Sequence, residues 1–216
     1  AVAFPSTWRF KAGERASFAP QAMIASNSRE ASEAGVEILK RGGNAVDAAV
    51  AVGFALAVTY PVAGNIGGGG FMVIRLADGR SATIDYREVA PLAATRTMYL
   101  DANGNPTDKS RVGHLAVGVP GAVAGMAEAV AKFGNLPLKE VMAPAIRLAE
   151  QGFVVDSAFW RGLAGDSAKL VRFAGASLLF PNGQRVKPGT RLVQADLART
   201  LRRIADQGPR EFYEGE

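Results

Sequence analysis

The sequence predicts an α/β unit, and three observations carry that reading. Residues 45–58 (AVDAAVAVGFALAV) are apolar on nearly every side of a helix, and a helix apolar all round is a buried one. Residues 71–74 (FMVI) form an apolar strand that turns at Asp78-Gly79 into a second strand ending on Asp85-Tyr86-Arg87-Glu88, the pattern of a hairpin. Residues 194–206 carry Leu197, Leu201 and Ile204 at helical spacing with arginines on the opposite side, an amphipathic helix.

Residues 1–21, with Pro5 and Pro20, read as an irregular entry arm. A helix is expected from Asn27, where Asn27 and Glu30 resemble a capping box. Its inner face is Ala31, Ala34, Ile38 and Leu39; Lys40 and Arg41 occupy the last turn, and Gly42-Gly43 closes it. Asn44 and Asp47 start the next helix at once, and Pro61 ends it. That apolar helix is shorter than the roughly 20 residues a membrane span needs, so it is expected to pack on the sheet of residues 70–87.

Beyond Pro91 come the turn-rich DANGNP (101–106) and a short apolar segment with a tight turn, LAVGVPG (115–121). Helices follow over residues 121–133 and 138–151, stopped by Gly134 and Gly152, with a kink expected at Pro144. A polar, mixed stretch leads to PNGQRVKPG (181–189), read as a turn and short hairpin. Gly208-Pro209 stops the helix of residues 194–206, and Phe212-Tyr213 is a candidate anchor. The segment around Glu216 offers no closing element, so the unit is expected to continue. Neither an internal repeat nor a linker is visible.

Composition narrows the chemistry. The chain has 216 residues, 48% hydrophobic and 21% charged, ordinary for a globular protein and against disorder. Cysteine is absent, which excludes disulfides, Fe–S clusters, thiolate zinc sites and a cysteine nucleophile. The single histidine, His114, excludes a multi-histidine metal site, and no cofactor is expected. The net charge is +5, but only Arg199, Arg202 and Arg203 cluster, without interleaved aromatics, so no nucleic-acid partner is expected. The first residues lack a charged segment followed by an apolar one, so no signal peptide is read.

The most informative stretch is NIGGGGFMVIRLADGRSATIDYREVAP, residues 65–91. Phosphate-binding glycine loops lie between a strand and a helix N-terminus and are followed by a lysine or a spaced glycine pattern. Here Gly67, Gly68, Gly69 and Gly70 precede a strand, so close approach of another backbone or of a pocket wall is the better account. Arg87 ends the second strand and presents a cation at the sheet edge. Its guanidinium is shaped to hold a carboxylate through two parallel hydrogen bonds, which makes it a candidate carboxylate anchor. The same residue could instead pair structurally with Asp85 or Glu88. His114 precedes an apolar run and reads as a hydrogen-bonding structural residue rather than a catalytic one. Neither G-x-S-x-G nor H-E-x-x-H occurs, so the common hydrolase motifs are not visible.

Several segments together resemble the gamma-glutamyltransferase family: GVEILKRGGNAVDAAVAVGFALAVTYP (35–61), NIGGGGFMVIR (65–75), DYREVAP (85–91), HLAVGVPGAVAGM (114–126), LPLKEVMAPAIRLAEQGF (136–153) and VQADLARTLRRIADQGPREFYEGE (193–216). The resemblance runs from about residue 22 onward, in order. It implies an N-terminal-nucleophile hydrolase of four-layer αββα architecture, of which residues 22–216 are an incomplete domain, the N-terminal part of the large subunit. It further implies a precursor that cuts itself, and a small subunit whose N-terminal threonine attacks the gamma-glutamyl amide of glutathione. The acyl group then passes to water or to an amino-acid or peptide acceptor. Such a nucleophile uses its own α-amine as base, in keeping with a chain almost without histidine and devoid of cysteine.

In the family the arginine of the D-x-R-E motif binds the α-carboxylate of the glutamyl group, and by resemblance that role falls to Arg87. No threonine here begins the family's Thr-Thr-His motif, so no catalytic residue is expected in this chain. The implied partners are the rest of the large subunit, the small subunit, glutathione and other gamma-glutamyl compounds, and amino-acid or peptide acceptors. The implied location is periplasmic or secreted. Two alternatives remain: a cephalosporin (glutaryl) acylase or polyglutamate-processing relative, and a non-catalytic scaffold domain that keeps the fold.

Overall fold

The structure is a computed structural model and describes residues 18–165, 167–172 and 177–215. Most of the expected entry arm and the terminal Glu216 lie outside those residues. Helices form one thick layer around a central apolar helix, and a hairpin lies at its edge.

The first helix, α1 (Arg29–Lys40), begins one residue later than the Asn27 cap expected. Ser28 is the N-cap: its hydroxyl accepts the Ala31 N–H at 3.3 Å. This register turns Ala31, Ala34 and Ile38 into the core. At the other end Gly43 N–H bonds to the Ile38 carbonyl and Gly42 N–H to that of Leu39, a Schellman closure. It requires Gly42 at φ 92°, where a side chain is disfavoured.

Helix α2 (Ala45–Thr59) begins with the reciprocal box that its sequence predicts. The Asn44 side chain accepts from Val46 and Asp47, and Asp47 accepts the Asn44 N–H at 2.8 Å. Val50, Ala51, Phe54, Ala55 and Val58 are fully buried. The partner differs in part from expectation, because α2 packs chiefly on helices α1, α3 (Ala122–Phe133) and α4 (Leu138–Gln151). The hairpin joins the same core through buried Ile74 and Ile84, with Met72 and Ala82 packed partly buried against it. Small side chains permit this crowding; a Cβ at Gly53 would stand 2.6 Å from Met126 sulfur on α3.

Strands β1 (Phe71–Arg75) and β2 (Ser81–Asp85) pair antiparallel, with Met72 opposite Ile84 and Ile74 opposite Ala82 on the inner face. The outer face carries Phe71 and Val73, 64% and 81% exposed. An isolated two-stranded hairpin is marginal in water, so this one depends on the helical layer beneath it. Helix α4 runs unbroken through Pro144, which is buried.

The segment around residues 181–189 departs from the hairpin expected there. Pro181–Gly183 forms a single 3₁₀ turn with Asn182 at φ 55°, and the chain then pairs at long range. Strand β3 (Phe153–Val154) takes β4 (Arg191–Leu192) as its partner, and Val155 exchanges backbone bonds with Thr190 and Gly189. Burial of Phe153, Val155, Val186 and Leu192 favours this pairing over a local one. The stretch between them, read only as polar and mixed, contains two short helices, α5 (Ser157–Gly162) and α6 (Ser167–Leu170).

Helix α7 (Ala195–Gln207) buries Ala198, Leu201 and Ile204, with Leu197 partly covered. Its arginines face outward and meet acids: Arg199 with Asp196, Arg202 with Glu150, Arg203 with Glu211. Gln194, just before the helix, donates from its side chain to the Val58 carbonyl at 2.7 Å and ties α7 to the end of α2. The short α8 (Arg210–Glu214) packs Phe212 on the core, and its Tyr213 hydroxyl accepts the Ala124 N–H at 3.1 Å, so this pair does anchor the segment.

Candidate functional site

The hairpin does not stop at Asp85. Tyr86 and Gly70 exchange backbone hydrogen bonds of 3.0 and 3.3 Å, which carries the ladder one pair further. Asp85 then accepts the Arg87 N–H at 3.0 Å, a side-chain turn that bends the chain out of the strand at Arg87. Two residues on, Val89 pairs with Val119 through bonds of 3.1 and 2.8 Å. Arg87 is thus held on both sides by backbone bonds to separate segments.

The glycine run is the packing surface of this strand end. A Cβ at Gly69 would lie 2.5 Å from the Tyr86 carbonyl oxygen, and one at Gly70 would lie 2.9 Å from the Tyr86 ring. The Gly68 carbonyl accepts the N–H groups of Gly121 and Ala122, both at 2.9 Å, and so caps α3. The glycines therefore let a strand end and a helix start meet at backbone distance, as read from the sequence. Burial pushes the Tyr86 phenol above its ordinary pKa.

Arg87 itself points into the open, its side chain 66% exposed. Its guanidinium lies 5.9 Å from the Phe71 ring centre, and its Nε is 3.9 Å from Glu88 Oε2, too long for a hydrogen bond. Asp85 engages only the Arg87 backbone. Among the described residues the guanidinium makes no hydrogen bond; its acid neighbour is Glu88, a long ion pair at 3.9 Å. An arginine with its backbone fixed and its donors free is suited to an incoming carboxylate.

Exposed apolar side chains lie on the same segments: Phe71 beside the guanidinium, Val73 on the same outer face of β1, and Val89 and Leu92 just beyond Arg87 in the chain. Such a surface fits a pocket whose further walls are other protein. A groove of about 600 Å³ between the start of α2 and β1 is lined by Asn44, Val46, Ile74 and Leu76, and Arg87 is not among its lining residues. His114 opens a 3₁₀ turn, His114–Ala116. No group of three or more histidine, aspartate or glutamate side chains is placed to hold a metal ion among the described residues. None of the helices among them is long and apolar enough to cross a membrane.

Sequence reasoning located Arg87 and the glycine run but overlooked Tyr86, Gly121 and Gly125, which meet behind the arginine. The signal was present in GVPGAVAG, where two glycines four residues apart share one helix face.

The gamma-glutamyltranspeptidase family model matches residues 31–216. The chain is 50% identical over 200 residues to the glutathione hydrolase proenzyme of Escherichia coli (strain K12), covering 91% of this chain and 34% of that protein. It is 45% identical over 222 residues to the acylase ACY 1 proenzyme of Pseudomonas sp. (strain V22), covering 99% of this chain and 40% of the relative. The crystal structure of Helicobacter pylori gamma-glutamyltranspeptidase superposes with a TM-score of 0.89 at 42% identity, covering 94% of this chain and 59% of that one. The chain thus spans between about a third and two fifths of the length of these curated relatives.

Proposed function

Because this chain belongs to the gamma-glutamyltranspeptidase family, we propose that it forms the substrate-carboxylate side of a gamma-glutamyltransferase or glutathione hydrolase. Residues 22–216 are then the N-terminal part of the large subunit, and the rest of that subunit and the small subunit complete the pocket. The observation that carries this reading is Arg87, its backbone held at the sheet edge and its guanidinium without a hydrogen bond among the described residues. Its two-pronged donor holds the α-carboxylate of the glutamyl group and so fixes the donor's γ-carbonyl relative to a nucleophile.

The nucleophile is the N-terminal threonine of the small subunit, outside this chain. Its oxygen bonds to the γ-carbonyl carbon, its α-amine takes the hydroxyl proton, and the amide C–N bond breaks. The amine leaves with a proton, and water or an acceptor amine then cleaves the ester. Glutathione is the donor that the resemblance implies, and amino acids or peptides are the acceptors. The mature enzyme belongs in the periplasm or outside the cell.

The similarity to the Pseudomonas acylase supports a second reading, hydrolysis of a glutaryl amide. A glutaryl group keeps a terminal carboxylate where the glutamyl group has its α-carboxylate and lacks only the α-amine, so Arg87 can hold either group and the choice between them falls to the contacts of that amine. The complete enzyme assayed on a gamma-glutamyl anilide and a glutaryl anilide decides between the two. Preference for the glutamyl compound is expected, and preference for the glutaryl compound would overturn the first reading. Failure of the full-length precursor to cut itself would instead favour a scaffold without catalysis.

Asp85 offers a finer check. Asp85→Asn keeps the oxygen that accepts the Arg87 N–H and should leave KM for the glutamyl donor within about twofold of the parent enzyme. Asp85→Ala removes a hydrogen bond worth about 0.5–1.5 kcal/mol and should raise KM by about two- to tenfold. Equal KM in both variants would mean that the turn does not place the arginine.

A further inference from the structure

Helix α3 lies unusually close to the strand end that carries Arg87. A Cβ on Gly125 would stand 2.2 Å from the Tyr86 Cβ and 2.3 Å from its Cγ. One on Gly121 would stand 2.1 Å from the Tyr86 carbonyl oxygen. Ordinary carbon contacts begin near 3.5 Å, so any side chain at either position must push Tyr86 outward by about an ångström or more. Tyr86 is restrained on its other side: its backbone is paired with Gly70, and its ring lies against the same glycine. The Cα of Arg87 is about 3.8 Å from that of Tyr86, so a displacement of Tyr86 is passed directly to the arginine.

From this geometry we infer that Gly121 and Gly125 are positioning residues for donor recognition. Their bare helix face sets how deep Tyr86 sits, and through it where the Arg87 guanidinium meets the donor's carboxylate. The inference rests on the reading of Arg87 as the carboxylate anchor. It implies that crowding α3 costs selectivity for donors that bear an α-carboxylate, because an ångström of misplacement spoils a two-pronged contact.

The test uses the complete processed enzyme and two anilides, gamma-glutamyl and 4-aminobutanoyl. The second is the first without its α-carboxylate. Gly125→Ala should lower the ratio of kcat/KM between the two donors by about tenfold. The loss should lie in KM for the glutamyl compound, with kcat/KM on the 4-aminobutanoyl compound held within about twofold. Tyr86→Ala, which removes the ring without crowding the core, is a second route to the same loss of selectivity and serves where Gly125→Ala folds poorly. Arg87→Ala is the reference and should abolish the preference.

A parent-like ratio in Gly125→Ala and Tyr86→Ala, beside a lost preference in Arg87→Ala, overturns the positioning role and leaves the anchor intact. An equal fall on both donors also overturns it, since a merely structural lesion does not discriminate between them. A preference retained in Arg87→Ala refutes the anchor itself, and the positioning role falls with it.

Discussion

Arg87→Ala in the complete enzyme should raise KM for glutathione by about 30-fold to a few thousandfold. The range corresponds to about 2–5 kcal/mol for a charge-assisted two-pronged contact removed from a pocket that the other subunit parts close. Arg87→Lys keeps the charge but presents three rotating donors in place of a planar fork, so it should recover only part of the loss. The substitution breaks no hydrogen bond of Arg87's side chain among the described residues. What it removes within the fold is a distant contact with the Phe71 ring and the long approach to Glu88. Self-cleavage should therefore survive in both variants, since maturation does not use the glutamyl carboxylate. Unchanged KM in Arg87→Ala would mean that the carboxylate is held elsewhere.

Asp47→Ala should be the most damaging single change to the fold at the α2 and α3 corner, lowering stability by about 3 kcal/mol or more. Asp47 is fully buried, and its carboxylate accepts N–H groups from three residues: Asn44 at 2.8 Å, Asn135 at 2.9 Å and Leu136 at 3.5 Å. The first closes the capping box; the other two pin the turn that follows α3 onto the start of α2. Truncation leaves these donors facing a small void instead of an acceptor, and each buried unpaired donor costs about 1–3 kcal/mol. Asn44 strengthens the same corner by donating from its side chain to the Phe133 carbonyl at 2.6 Å. Asp47→Asn keeps one accepting oxygen and should restore roughly half of the loss. Thermal unfolding of the complete protein, with amide exchange followed at Asn135, measures both effects. An Asp47→Ala protein with the parent's unfolding temperature would show that the cap is incidental.

The two predictions separate two jobs. Arg87 is exposed and cheap for the fold, and its substitution should move KM. Asp47 is buried at the far end of α3 and should move stability. Helix α3 connects them: its C-terminal end is tied to Asp47 through Asn135, and its N-terminal end is capped by the Gly68 carbonyl beside Tyr86. Surface pairs such as Arg202 with Glu150 and Lys139 with Asp206 add little to either quantity, because water and salt screen them.

Much of the chain was determined by its sequence alone. The α1 closure at Gly42-Gly43, the Asn44–Asp47 box, the all-apolar α2, the Asp78-Gly79 hairpin and the amphipathic α7 are local patterns, and each formed where its residues specify it. Arg87 was legible for the same reason, as a cation ending a strand behind a glycine run. Tertiary structure decided what local pattern does not encode. It chose helices over the sheet as the main neighbours of α2, because a surface apolar on every side accepts any close-packing partner. It paired β3 with β4 across the chain, since that union buries Phe153, Val155 and Leu192, which no local hairpin could do. It also brought Gly121 and Gly125 against Tyr86, a contact that depends on where two elements meet in space rather than on the periodicity of either.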